Sequence, residues 1–333
     1  MASPGQSPLS HSPLFGARGD DVEHDRSLTV SARDLIDMAA AAGVLQPLQT
    51  LTARARRAGG HLSHVRGRGM DYEESRAYQA GDDIRAMDWR VTARAGEPHT
   101  KMFREERERP VVIALDAGPG MFFASRGALK SVQAARVAAM LGWAAVSQGD
   151  RIGALLFNHG HHEVQPRGGR SGILRVIREL VAHADPRAAL AAPASAGGFN
   201  RALLRLRRLV RPGSLVILIG DFYGVDAGSV QHLAYLCRHS DVVAVRVLDE
   251  LETVAPPPGR YGLTDGRDRF DVDTLAATDR SRYADVLATH HAGVEQMFHT
   301  SGIALLHLQT TDNVGEAIAA QLSAAPARRR RVA

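Results

Sequence analysis

The stretch VVIALDAGPGM, residues 111–121, decides the fold. It opens with five apolar residues rich in β-branched side chains. Then come Asp116 and a turn of glycine and proline. A short continuous apolar run of this kind reads as a strand buried on both faces. The pattern recurs downstream as RIGALLF (151–157), SLVILIGD (214–221), DVVAVRVL (241–248) and IALLHLQ (303–309). Between these runs, residues 128–147, 171–184, 200–210, 230–239, 281–300 and 314–322 read as helices. Residues 259–272, with a turn near Asp265-Gly266, read as a hairpin. Alternating strands and helices predict an α/β fold, a doubly wound and mostly parallel sheet of Rossmann-like type. Any site is then expected beyond the carboxyl ends of the strands.

Upstream of this regular region the chain changes character. Residues 1–27 are rich in Ser, Pro, Gly and Asp and are expected to form a flexible tail. Residues 28–109 are expected to form an irregular N-terminal subdomain, with one capped helix at 31–43. Residues 110–323 form the α/β domain, and residues 324–333 form a basic tail. The 333 residues carry a net charge of +5, and Arg328 to Arg331 contribute four of those charges. The body is therefore near neutral, which disfavours a nucleic-acid face on the domain. The alternative of a nucleic-acid binder rests on that arginine tail alone. Cys237 is the single cysteine, so no intrachain disulfide exists and a reducing compartment is expected. The N-terminus lacks a basic start followed by an apolar run, and no stretch is long enough to span a bilayer. A cytoplasmic location follows as the expectation.

Familiar enzyme signatures are missing. The chain contains no G-x-x-x-x-G-K-[ST] phosphate loop, no G-x-G-x-x-G after the first strand and no G-x-S-x-G elbow. The run NHGHH, with His159, His161 and His162, reads as an exposed turn rather than a metal centre. What remains is a pair of acids at strand ends, Asp116 and Asp221. In a parallel sheet both project from one edge. Two carboxylates there are hard oxygen donors for a divalent cation. A metal-assisted hydrolase using this pair is the enzymatic alternative.

The segment leading into the first strand is more specific. It reads GRGMDYEESRAYQAGDDIRAMDWRVTARAGEPHTKMFREERERPVVIALD, residues 67–116. It resembles the signature of the bacterial domain-of-unknown-function 58 family, whose members look like von Willebrand factor A domains. The matching positions are Gly67, Gly69, Tyr72, Arg76, Tyr78, Gly81, Asp82, Asp83, Arg85, Asp88, Trp89, Arg90, Ala93 and Arg94. Glu105 and Glu106 also fit, as does SQGDRIGALLF at 147–157.

The resemblance implies a binding module rather than an enzyme. It also implies a metal-ion-dependent adhesion site, with Asp-x-Ser-x-Ser after the first strand, a threonine from a second loop and a later aspartate. Such a site holds Mg²⁺ and presents it to a partner's carboxylate. Here Asp116 and Asp221 are the implied ligands, but Gly118 and Gly120 stand at the two serine positions. Gly220 precedes Asp221 where a serine is common, and the RGGRSGI loop offers only Ser171. The site is therefore expected to be degenerate, and no cofactor is certain. Family members commonly neighbour MoxR-type AAA+ ATPases, which implies such an ATPase as partner in protein maturation or complex assembly. Within the signature, arginines among acids and aromatic rings are expected to pair and stack. That network either joins the N-terminal segment to the sheet or docks a partner.

Overall fold

The computed structural model describes residues 26–44, 71–79, 86–104, 108–158, 160–187, 198–264 and 269–323. Its centre is a six-stranded sheet made of β3 (Pro110–Asp116), β4 (Arg151–Phe157), β5 (His161–Arg167), β6 (Leu215–Gly220), β7 (Asp241–Leu248) and β10 (Ala304–Gln309). The strand order is β10-β7-β6-β3-β4-β5. All neighbours run parallel except β5, which pairs antiparallel with β4. The order reverses between β3 and β6, so the switch point lies between the ends of those two strands.

Helices cover both faces. On one face lie α1 (Ala32–Val44), α3 (Lys130–Ser147), α4 (Gly169–His183) and α8 (Val314–Ser323). On the other lie α5 (Gly198–Leu209), α6 (Ala227–His239) and α7 (Ala277–Thr300). Alternation along β3 divides the core: Val111, Ile113 and Leu115 pack on the first face, Val112 and Ala114 on the second. Helix α3 is buried almost all round, and its alanines let α1, α4 and the sheet approach closely.

The sequence groups the first helix with the N-terminal segment. In the structure α1 packs into the α/β core: Leu35 is fully buried, and Trp143 Nε1 of α3 donates to Leu35 O at 3.0 Å. The NHGHH run is another difference. His161 and His162 open the edge strand β5 rather than lying in a turn; His159 lies outside the described residues. The polar, proline-containing sequence of β5 hides its strand character, because only Val164 of the strand is buried.

Upstream, β1 (Asp71–Ala77) and β2 (His99–Arg104) form an antiparallel pair, with the short helix α2 (Trp89–Ala95) between them. The hairpin expected at 259–272 is β8 (Arg260–Thr264) with β9 (Arg269–Asp273). At the amino edge of the sheet, Arg109 acts as a tie. It donates to Gly213 O at 3.0 Å and to Ser214 O at 3.3 Å, and it pairs with Asp241. The start of β3 is thus joined to the starts of β6 and β7.

A candidate binding site at the carboxyl edge

Asp116 is the last residue of β3, and Asp221 follows β6 directly. The two strands are neighbours, so both carboxylates meet at the switch point, as the sequence predicts. They line a crevice of about 250 Å³ together with Gly118, Gly120, Phe157, Phe199 and Tyr223. Small-molecule sites run from roughly 300 to 1,000 Å³. This crevice has room for a side chain more readily than for a cofactor.

Three glycines lie against the two carboxylates. A Cβ on Gly118 would lie 2.9 Å from Asp116 Oδ1, and one on Gly120 would lie 3.1 Å from Asp221 Oδ2. A Cβ on Gly220 would sit 3.0 Å from that of Asp116. In this arrangement the carboxylates occupy the space that serine side chains would need. Gly118 N–H donates to Asp116 Oδ1 at 2.7 Å, and Tyr223 N–H donates to Asp221 Oδ1 at 3.1 Å.

The cation in this site is a side chain. Lys130, the first residue of α3, puts Nζ 3.0 Å from Asp221 Oδ2 and 2.6 Å from Glu252 Oε1. The lysine is only 1% exposed. A cation at a helix N-terminus has the wrong sign for the helix dipole. Its presence there requires the two carboxylates. Glu252 is set by local structure: Asp249 caps the turn after β7, and Asp249 N–H in return holds Glu252 Oε2 at 2.9 Å. That leaves Oε1 to face the ammonium. Buried Asp249 also takes Ser125 N–H at 2.8 Å and Thr310 Oγ1 at 2.9 Å, knitting the loops after β3, β7 and β10.

These charges set the protonation states. Burial works against the charge on Lys130, yet Asp221 and Glu252 together outweigh it and hold the ammonium above the usual lysine range. Asp116 has no such partner. Burial and then the charge of Asp221 push its carboxyl up to about 7, against the weaker pull of Gly118 N–H and Lys130. Tyr223 is raised by burial and by Glu252 and Asp221, so it stays a phenol. Its ring stacks on His290 at 4.4 Å and lies 5.6 Å from the Lys130 ammonium.

As arranged, this donor set does not fit a hard divalent ion, which asks for several oxygen ligands in near-octahedral array. Both Asp221 oxygens and one Asp116 oxygen are already engaged by N–H donors. Among the described residues, no group of three or more His, Cys, Asp or Glu side chains is arranged to hold a metal. His162 instead meets Glu179 at 3.0 Å. Ser171 lies at the opposite edge. It follows Arg167, the end of β5, which pairs with Ile152 near the start of β4. The element facing the aspartates is the start of α5, and it brings the ring of Phe199 instead of a hydroxyl.

Part of the upstream signature lies within the described residues. Asp88 is buried and caps α2, accepting from Arg90 N at 3.1 Å, Val91 N at 3.2 Å and Ser75 Oγ at 2.7 Å. Trp89 is 68% exposed, and Arg90 and Arg94 are exposed beside it. Arg76 donates to Ala77 O at 3.1 Å, and Tyr78 is half-buried. Gly81, Asp82, Asp83 and Arg85 lie outside the described residues.

Residues 74–293 match the profile of a family described as "Protein of unknown function DUF58". The chain belongs to the DUF58 family. Uncharacterized proteins of Mycobacterium tuberculosis and Mycobacterium bovis are 31% identical to this DUF58 chain over 258 residues, covering 76% of it and 78% of each relative. Among solved structures, a conserved hypothetical protein BatB from Bacteroides thetaiotaomicron aligns with 65% of this chain and 97% of its own, at 16% identity and a TM-score of 0.39. A von Willebrand factor type A structure from Catenulispora acidiphila aligns with 67% of this chain and 43% of its own, at 13% identity and a TM-score of 0.35. Lys130, Glu252, Tyr223 and Phe199 are the site residues of this DUF58 chain that sequence reasoning missed. One signal for Lys130 was present: it is one of two lysines, and it opens an apolar helix.

Proposed function

We propose that this DUF58 chain is a non-enzymatic protein-interaction module that docks its partner at the carboxyl edge of the sheet. Its adhesion site is degenerate, with the Lys130 ammonium paired to Asp221, one of the two aspartates that the family resemblance implies as ion ligands. The observation that supports this reading is the double ion pair from Lys130 to Asp221 and Glu252 beside an open crevice. Among the described residues the crevice lining combines carboxylates, glycines, Met121, Asn158 and aromatic rings, with no serine, cysteine or histidine. Among the described residues no nucleophilic side chain stands beside Asp116, which favours recognition over nucleophilic chemistry.

The partner we assign is a MoxR-type AAA+ ATPase, on the family resemblance, and the setting is the cytoplasm. Among the described residues no helix is long and apolar enough to cross a membrane, which is compatible with that setting. Exposed Trp89, with Arg90 and Arg94, supports a second docking area in the signature segment. The test is capture of the cognate ATPase by the full chain, with and without ATP and Mg²⁺. Stable binding at micromolar concentration is expected. No binding in either condition overturns the assignment.

A further inference from the structure

We infer that the crevice between β3 and β6 takes a cationic side chain of the partner, a guanidinium or an ammonium, against the Asp116 carboxyl. The inference rests on the reading of this edge as a binding surface and names the chemistry of what it binds. In a metal-bearing adhesion site the ion offers an open coordination position to a partner's carboxylate. Here that role is blocked. Lys130 Nζ is enclosed by Asp221 and Glu252 and is 1% exposed, so no carboxylate from outside can reach it. What the crevice presents instead is oxygen. Asp116 Oδ1 accepts from Gly118 N–H, and among the described residues no donor reaches Oδ2. Asp221 lines the same space with its positive partner behind it.

The walls suit a flat or long cationic side chain. Tyr223, 40% exposed, offers ring surface beside the buried rings of Phe157 and Phe199, and its face already lies 5.6 Å from one ammonium. A guanidinium can donate to a carboxylate and pack on an aromatic face at once. Glycine at 118, 120 and 220 keeps side-chain bulk away from the two carboxylates: a Cβ at 118 or 120 would crowd Asp116 Oδ1 or Asp221 Oδ2, and one at 220 would stand 3.7 Å from the free Asp116 Oδ2. At about 250 Å³ the crevice has room for a side chain, so the partner contributes an anchor rather than a peptide laid along a groove.

The test is calorimetric titration of the full chain with N-acetyl-arginine amide and with N-acetyl-aspartate amide, each with and without Mg²⁺. The arginine probe is expected to bind at millimolar concentration and the aspartate probe not to bind, with no effect of Mg²⁺. Asp116→Asn, which keeps the oxygen that accepts from Gly118, is expected to weaken the arginine probe about tenfold or more, the loss typical of a charged hydrogen bond. Tyr223→Leu, at a residue 40% exposed, serves as the second variant and is expected to weaken it several-fold. Equal binding by wild type and both variants overturns the inference. So does absence of arginine binding, or Mg²⁺-dependent binding of the aspartate probe. Capture of the ATPase by Asp116→Asn as strongly as by wild type sinks this inference and leaves the interaction module standing. Failure of wild type to capture it removes the module's assigned partner instead.

Discussion

Lys130 and Asp116 divide the electrostatics of the edge between them. The lysine is neutralised by two carboxylates, while Asp116 must carry its charge in a buried place beside Asp221. That has a consequence for stability. A carboxyl raised from an ordinary value of 3.8 to about 7 folds most readily when protonated. Its contribution is complete at pH below about 4 and is lost as pH rises through 7, by as much as ~4 kcal/mol on linkage. Asp116→Asn has no such loss. The variant should therefore gain on wild type as pH rises from 5 to 8, read as a growing difference in urea midpoints. A constant difference would mean that Asp116 is ionised across that range. Of this site, the two aspartates were legible in the sequence, because strand-end acids on neighbouring parallel strands converge by geometry. Glu252 was not legible. Its position depends on the Asp249 cap and on a contact with a residue 122 positions earlier.

At the scale of elements, the parallel strands were readable because burial on both faces leaves an unbroken apolar run. The edge strand β5 was not, since its partners lie on one side only and most of its side chains meet solvent. Its pairing leans on Gly153 of β4, where the register shifts between Ile152 and Ala154. A Cβ at Gly153 would stand 2.6 Å from Val164 O and 2.8 Å from Pro166 N, both backbone atoms. Gly153→Ala should push β5 away and destabilise the fold by about 1–3 kcal/mol, measured by urea denaturation. The element β1–α2–β2 makes a separate prediction. Asp88→Ala removes the cap of α2 and should cost about 1 kcal/mol of stability. Trp89→Ala, at an exposed ring, should leave stability within about 0.5 kcal/mol and lower affinity for the ATPase. Unchanged affinity in folded Trp89→Ala would assign the segment a structural role alone.

Across the whole molecule, strand order and loop stitching turn one edge of the sheet into a built surface. The apolar periodicity specifies one sheet packed between two helical layers, and the switch point lies where the strand order reverses between β3 and β6. What periodicity does not encode is the identity of the group that balances the charge there. The family resemblance points to an ion, and the packed chain supplies an ammonium from the start of α3. On this reading Lys130 is the resident cation of this edge. The most direct measurement is the melting temperature of the full chain in EDTA and in millimolar Mn²⁺, for wild type and for Lys130→Met. Wild type should melt at the same temperature in both buffers. Lys130→Met leaves Asp221 and Glu252 without their partner and should melt lower, by an amount matching about 3–5 kcal/mol for a broken buried pair. A rise of several degrees in wild type on adding Mn²⁺, reversed by EDTA, would contradict the account.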